Sequence, residues 1–195
     1  MSKTTIAKKD RTRQRILDAA AAAFREHGVE RVGVRDVMKL AGLTRGGFYF
    51  HFADKDALLA EATREAARSN VATHVSWAGG AAKGKKLQAF IENYLSEVHR
   101  DSPEVGCLLA ALGSEIGRSS ASQRKAFTEG IDTVIEGIAV LLPGASAAAR
   151  RTRAELLIAS MAGVLMMSRT LSDRARSNEL LAAARQFHTA SFGAA

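Results

Sequence analysis

Apolar residues recur at three- and four-residue spacing along most of this chain, and no stretch sustains the two-residue alternation of a strand. Ile16, Ala20 and Phe24 form one such series, and Phe127, Ile131, Val134, Ile135, Ile138 and Leu142 form another. Proline, which breaks helices by removing a donor and clashing with the preceding turn, occurs only at Pro103 and Pro143. Hydrophobic residues are 47% of 195, enough for a substantial core. The fold class expected is therefore all-α.

The densest local signal lies between Val34 and Lys55, VRDVMKLAGLTRGGFYFHFADK. Val34, Val37, Met38 and Ala41 mark one buried face of a short helix. Gly42 then stops it, since glycine takes a left-handed backbone without steric penalty. Thr44 is expected to cap a second short helix, Arg45 to His51. That helix carries Gly46 and Gly47, each costing about 1 kcal/mol against alanine. It also falls short of the roughly 12–15 residues that helices need to persist in water. It must be held by neighbours, with Phe48 and Phe52 as the candidates. Its outward residues, Thr44, Arg45, Gly46, Gly47, Tyr49 and His51, are short or rich in donors. Such a face suits a DNA major groove. Arginine can bond O6 and N7 of guanine together, which makes Arg45 the candidate base contact.

LTRGGFYFHFADKDALL is similar to the helix-turn-helix signature of the TetR family of bacterial transcriptional regulators. Thr44, Gly46, Tyr49, His51, Phe52 and Lys55 meet the family pattern in register, and the likeness runs back to Arg11. The resemblance implies that Tyr49, His51 and Lys55 grip phosphates. Arg35 is a further candidate for the DNA backbone. A hydroxyl residue common near that point in the family is replaced here by Val34. The resemblance also implies a particular architecture. An N-terminal three-helix helix-turn-helix domain, residues 10–54, is joined by a long helix from Lys55 to a C-terminal helical ligand-binding and dimerisation domain, residues 55–195. Within the first domain the helix-turn-helix spans about 33–52.

Charge agrees with that division. Residues 1–52 hold an excess of six positive charges and the remainder an excess of two, out of a net +8. Residues 1 to about 10 read as a disordered basic arm, with the first helix running from Thr12 to His27. Asp54 is placed to cap the linking helix, expected to reach about Trp77. Beyond it, helices are expected at Lys85–Arg100, at Glu104–Gly117 and up to Pro143. The last two are expected at 146–172 and 177–192, each opened by a serine cap. Small residues Ala159 and Gly163 lie four apart on the first of these, so a second copy can approach closely. These helices could instead close a monomer core; the resemblance implies a homodimer through them, with double-stranded operator DNA and a small-molecule effector as further partners.

Trp77, Tyr94 and Cys107 are the candidate pocket residues. Cys107 reads either as a buried apolar cysteine or as a thiol sensor, and Glu104 nearby opposes the thiolate a sensor needs. Enzyme signatures are missing. No histidine follows a glutamate by three residues, as a di-iron bundle requires, and HExxH, CxxC and GxSxG are absent. No cofactor or metal is expected. A single cysteine, no signal-peptide pattern and no apolar run of about 20 residues point to a cytoplasmic protein with no membrane partner. The alternative function, a helical module that binds lipid or another hydrophobe, leaves the basic motif unexplained.

Overall fold

A computed structural model describes residues 3–82 and 84–193; the side chains of residues 3–6, 74 and 75 lie outside that description. Among the described residues the architecture is all helical. Its helices are α1 (Lys3–His27), α2 (Val34–Leu40), α3 (Lys55–Gly79), α4 (Lys86–Tyr94), α5 (Glu97–Asp101), α6 (Leu108–Ile116), α7 (Ala121–Ala139), α8 (Ala147–Thr170) and α9 (Arg174–Gly193). Two 3-10 segments, Arg45–Phe50 and Pro103–Val105, complete it.

Helix α1 starts at Lys3, so the expected disordered arm is helical from that residue on. Its buried face, Ile16, Ala20 and Phe24, closes a small core with Val37, Met38, Phe48 and Phe52. Helix α3 leaves this core and runs into the body, where it packs along α7. The two can approach because Gly130 and Gly137 of α7 lack side chains. A Cβ at Gly130 would meet Thr63 Cγ2 at 3.3 Å, and one at Gly137 would meet Val71 Cγ1 at 3.0 Å. Helices α8 and α9 form the last hairpin, against α7 and α4.

Three expected elements differ. The helix expected over Lys85–Arg100 breaks at Leu95, where the Ser96 hydroxyl caps α5 by accepting from the His99 backbone N–H. From α9, Arg185 Nη1 donates to the freed Leu95 carbonyl at 2.7 Å, so a distant residue stabilises the break. The helix expected from Glu104 begins only at Leu108, after the 3-10 segment opened by Pro103. Ser146 caps α8 as expected, accepting from Ala149 N–H at 3.1 Å. Ser177 does not cap α9: it is buried inside it, and Asp173 Oδ1 accepts from Ala175 N–H at 2.9 Å instead.

Helices α8 and α9 each have two working faces. Leu157, Met161 and Leu165 of α8 and Leu181 and Ala184 of α9 face the core. On the other side Leu156, Ala159, Gly163, Met166 and Met167 form a continuous exposed stripe at helical spacing, beside the exposed Phe187.

Candidate nucleic-acid interface

The helix-turn-helix is built from short-range bonds. Gly33 opens α2, with its N–H donating to Asp36 Oδ2 at 3.0 Å. At the other end Gly42 takes φ +65°, which lets Leu43 N–H reach Met38 O at 2.8 Å and Gly42 N–H reach Lys39 O at 3.0 Å. This paired closure satisfies carbonyls a helix end leaves open. Arg15 of α1 donates to the Ala41 carbonyl, and a Cβ at Gly42 would meet its Nη2 at 3.0 Å. The turn is thus fixed in both conformation and space.

The recognition helix, Arg45–Phe50, is a 3-10 helix instead of the α-helix expected through His51. With three residues per turn, side chains at i and i+3 stand in line. Phe48 is fully buried, stacked on Phe52 at 5.7 Å and edge-on to Tyr49 at 5.3 Å between ring centroids. Thr44 stands at the cap position but its hydroxyl makes no capping bond, which corrects the role assigned to it. It is exposed, as are Arg45 and Gly46, and nothing lies within 4 Å of a Cβ built on Gly46. Tyr49 is 65% exposed, and Arg35 projects outward from the first turn of α2. Among the described residues Arg45 has no hydrogen bond or ion pair, so its guanidinium is available to a ligand.

His51 is half-buried, with no hydrogen-bond partner for Nδ1 among the described residues. Burial, then Lys9 and Arg13, hold its imidazole below the ordinary pKa. Neighbouring cations that disfavour imidazolium make the same spot favourable for an anion. Arg13 itself lies over the Phe52 ring at 4.7 Å and pairs with Glu61 of α3.

Lys55 is placed differently from the other candidates. Its Nζ donates to the Val29 carbonyl at 2.6 Å. The Val29 and Glu30 N–H groups donate in turn to the Glu115 carboxylate of α6, at 3.0 and 2.8 Å. Gly28, at φ +85°, makes room, since a Cβ there would meet Glu115 Oε2 at 3.0 Å. The end of α1 is therefore gripped from α3 and from α6. A hollow of about 570 Å³ lies along this seam, lined by Arg31, Lys55, Glu115 and Arg118 among others.

The candidate pocket residues come together in the body. Trp77 lies 5.8 Å from His99, and His99 lies 4.7 Å from Tyr94, between ring centroids. Burial first of all, with Cys107 nearby, pushes the Tyr94 phenol well above its usual pKa. Tyr94 and Cys107 are buried, while Trp77 is partly so and packs on the core. They pack against one another and the core.

The sequence reads His99 as a cavity-lining or packing residue; the structure makes it a buried centre of contacts. Its Nδ1 donates to Tyr94 O at 2.7 Å and its Nε2 accepts from Cys107 N–H at 3.0 Å, which fixes a neutral ring. Burial, opposed by the Tyr94 bond and aided by Arg169, lowers its pKa to about 4. Above pH about 6.5 the ring is neutral folded or unfolded, so it adds no pH dependence. As pH falls from there to 4, the unfolded chain takes up a proton that the folded one resists, and stability drops. At about 1.4 kcal/mol per unit, the loss approaches 3 kcal/mol. Urea midpoints measured across pH 4–7 should show that fall, and it should flatten in His99→Gln; an unchanged slope in the variant would show that other groups carry it.

Thus a glycine-bearing recognition helix is displayed beside exposed cations and anchored to a helical body, the arrangement of a helix-turn-helix protein. Residues 16–62 match the family described as bacterial regulatory proteins, tetR family. Residues 84–184 match the tetracyclin repressor-like C-terminal domain. The chain belongs to the TetR family. It is 41% identical over 61 residues to the HTH-type transcriptional regulator AcrR of Shigella flexneri, covering 31% of this chain and 28% of that protein. It is 44% identical over 69 residues to the HTH-type transcriptional repressor AcnR of Corynebacterium efficiens, covering 35% and 37%. These alignments span well under two thirds of either relative. Among solved structures, reduced E. coli NemR superposes with a TM-score of 0.76 at 19% identity, over 93% of this chain and 96% of that one. A TetR-family regulator from Cytophaga hutchinsonii gives 0.73 at 20% identity, over 94% and 96%. Both show the same fold. No helix among the described residues is long and apolar enough to cross a membrane.

Proposed function

We propose that this chain is a sequence-specific DNA-binding transcriptional regulator, a repressor released by a small-molecule effector, and not an enzyme. The observation that carries the reading is the recognition helix, with Phe48 turned inward and Thr44, Arg45, Gly46 and Tyr49 turned out. Residues 10–54 then serve as the DNA-binding domain and 55–195 as the regulatory and dimerising one. The relatives named as transcriptional regulators and repressors support the same assignment. The protein works in the cytoplasm, where its operator is.

In this reading Arg45 contacts a base and Arg35, Tyr49 and His51 contact phosphates. Lys55 spends one of its three ammonium donors on Val29 and offers the other two to a phosphate. The exposed stripe on α8 and α9 meets its symmetry mate as a four-helix bundle. Two recognition helices then lie about one DNA turn apart, on the order of 34–36 Å, or a multiple of that. An effector held near Trp77, Tyr94 and Cys107 must part groups that pack together in the structure. It releases DNA by binding the conformer with the wrong spacing more tightly.

Selection of bound fragments from a random duplex pool tests the proposal. An inverted repeat is the expected product, and failure to retain any duplex at low salt would refute it and favour the hydrophobe-binding alternative. On the selected site Arg45→Ala should cost about 1–3 kcal/mol per half-site and relax the preference at one base pair. Equal affinity of the variant and the parent for that site would remove Arg45 from the base-reading role.

A further inference from the structure

The recognition helix displays one side chain that the account above leaves unused. Phe50 is 80% exposed, the highest value among the exposed large apolar residues described. A solitary exposed apolar residue is ordinary on a protein surface. Phe50 is distinguished by its position. It follows the exposed Tyr49 and lies two residues past the buried Phe48, about 240° further around a helix of three residues per turn, so it faces away from the core. On its other side it walls a hollow of about 390 Å³ together with Lys8, Lys9, Thr12 and His51. Lys8 and Lys9 are exposed and lack an ion-pair partner among the described residues. The ring therefore sits at a boundary, between cations suited to phosphates and the exposed Tyr49 of the recognition helix.

The major groove of a duplex presents one apolar group to a protein, the C5-methyl of thymine. That methyl projects from the pyrimidine edge beside the phosphates of its own strand. Charge complementarity brings a strand to Lys8, Lys9 and His51, and the aromatic ring at the border of that hollow then faces the adjoining pyrimidine edge. We propose that Phe50 reads a thymine methyl in each operator half-site, while Lys8, Lys9 and His51 hold the neighbouring phosphates. This rests on the DNA-binding reading above and adds a specificity determinant to it. The aromatic ring has the right chemistry because burying a methyl against it is favourable, whereas a cytosine at that step offers an amino group and no methyl.

The test uses the full-length protein and the operator recovered by selection, synthesised with each thymine replaced in turn by deoxyuridine. That exchange removes the methyl and leaves every hydrogen-bonding group in place. One position per half-site should weaken binding by about fourfold, the worth of one buried methyl-sized group. Phe50→Ala should bind the unmodified operator more weakly by a similar factor, and should be indifferent to the deoxyuridine exchange. Phe50→Leu, which keeps an apolar surface, should restore part of the sensitivity. Because Phe50 is exposed, neither variant removes a core contact, and equal urea midpoints will verify that. If the parent tolerates deoxyuridine everywhere, or Phe50→Ala keeps the sensitivity, the assignment to Phe50 is overturned. A uniform loss in Phe50→Ala with no deoxyuridine effect overturns it too, because the ring then packs on the sugar backbone. All three results leave DNA binding intact and so differ from a failure of the parent to bind any duplex, which would end both proposals.

Discussion

Phe48→Ala is expected to cost about 3–5 kcal/mol of stability, the range for removing a fully buried aromatic side chain. Phe48 has no exposed surface, and it supports both Tyr49 and Phe52 by ring contact. The recognition helix has little else to hold it. It has six residues, carries Gly46 and Gly47, and receives no side-chain cap from Thr44. The loss should therefore concentrate in the N-terminal domain. Amide exchange should show opening of residues 34–52 well before the body opens, and operator affinity should fall with it. A change under about 1 kcal/mol would show that this helix is held by something other than the ring.

Gly163→Arg is expected to leave the monomer folded and to abolish the dimer. Nothing lies within 4 Å of a Cβ built at Gly163, and arginine is a better helix former than glycine by several tenths of a kcal/mol. On the proposed two-fold face, however, both copies would carry the new cation into a stripe of Leu156, Ala159, Met166 and Met167. Each charge would be buried without a partner, at several kcal/mol apiece. The particle mass in sedimentation should halve. Operator affinity should fall by about 10²-fold or more, since the second half-site no longer binds as part of one molecule. Gly163→Ala, which adds little bulk, serves as the control. A Gly163→Arg protein that stays dimeric at micromolar concentration would move the interface off α8.

The local grammar of the N-terminal third was legible because each rule there acts within about four residues. Gly42 ends α2 with the positive φ that its position suggested, and Asp54 caps α3 by accepting from Ala57 N–H at 2.7 Å. Phe48 was recognisable as an inward prop because its helix cannot stand alone. What stayed hidden depends on distant partners. Leu95 has no breaking tendency of its own, and its break is stabilised by Ser96 and by Arg185 from α9. Lys55 sits in register with phosphate-gripping positions, yet its ammonium reaches Val29, a residue placed nearby only by the fold. Within FYFHF the pattern set Phe48 and Phe52 inward and Tyr49 and His51 outward, but Phe50, apolar yet not needed as a prop, was left unassigned. Phe50 lies two residues past the buried Phe48 and so faces away from the core.

Glu115 gives the reading head an attachment made almost wholly from main chain on the receiving side. Its carboxylate takes two successive N–H groups just after the left-handed Gly28, so the partner sequence hardly matters while the backbone shape does. A chimera that grafts this head onto another body should therefore be chosen for an acceptor at the matching point of that body. Such a chimera keeps the bend only with a glycine at the position of Gly28, and it must also carry the side-chain joints made by Arg25 and Arg13.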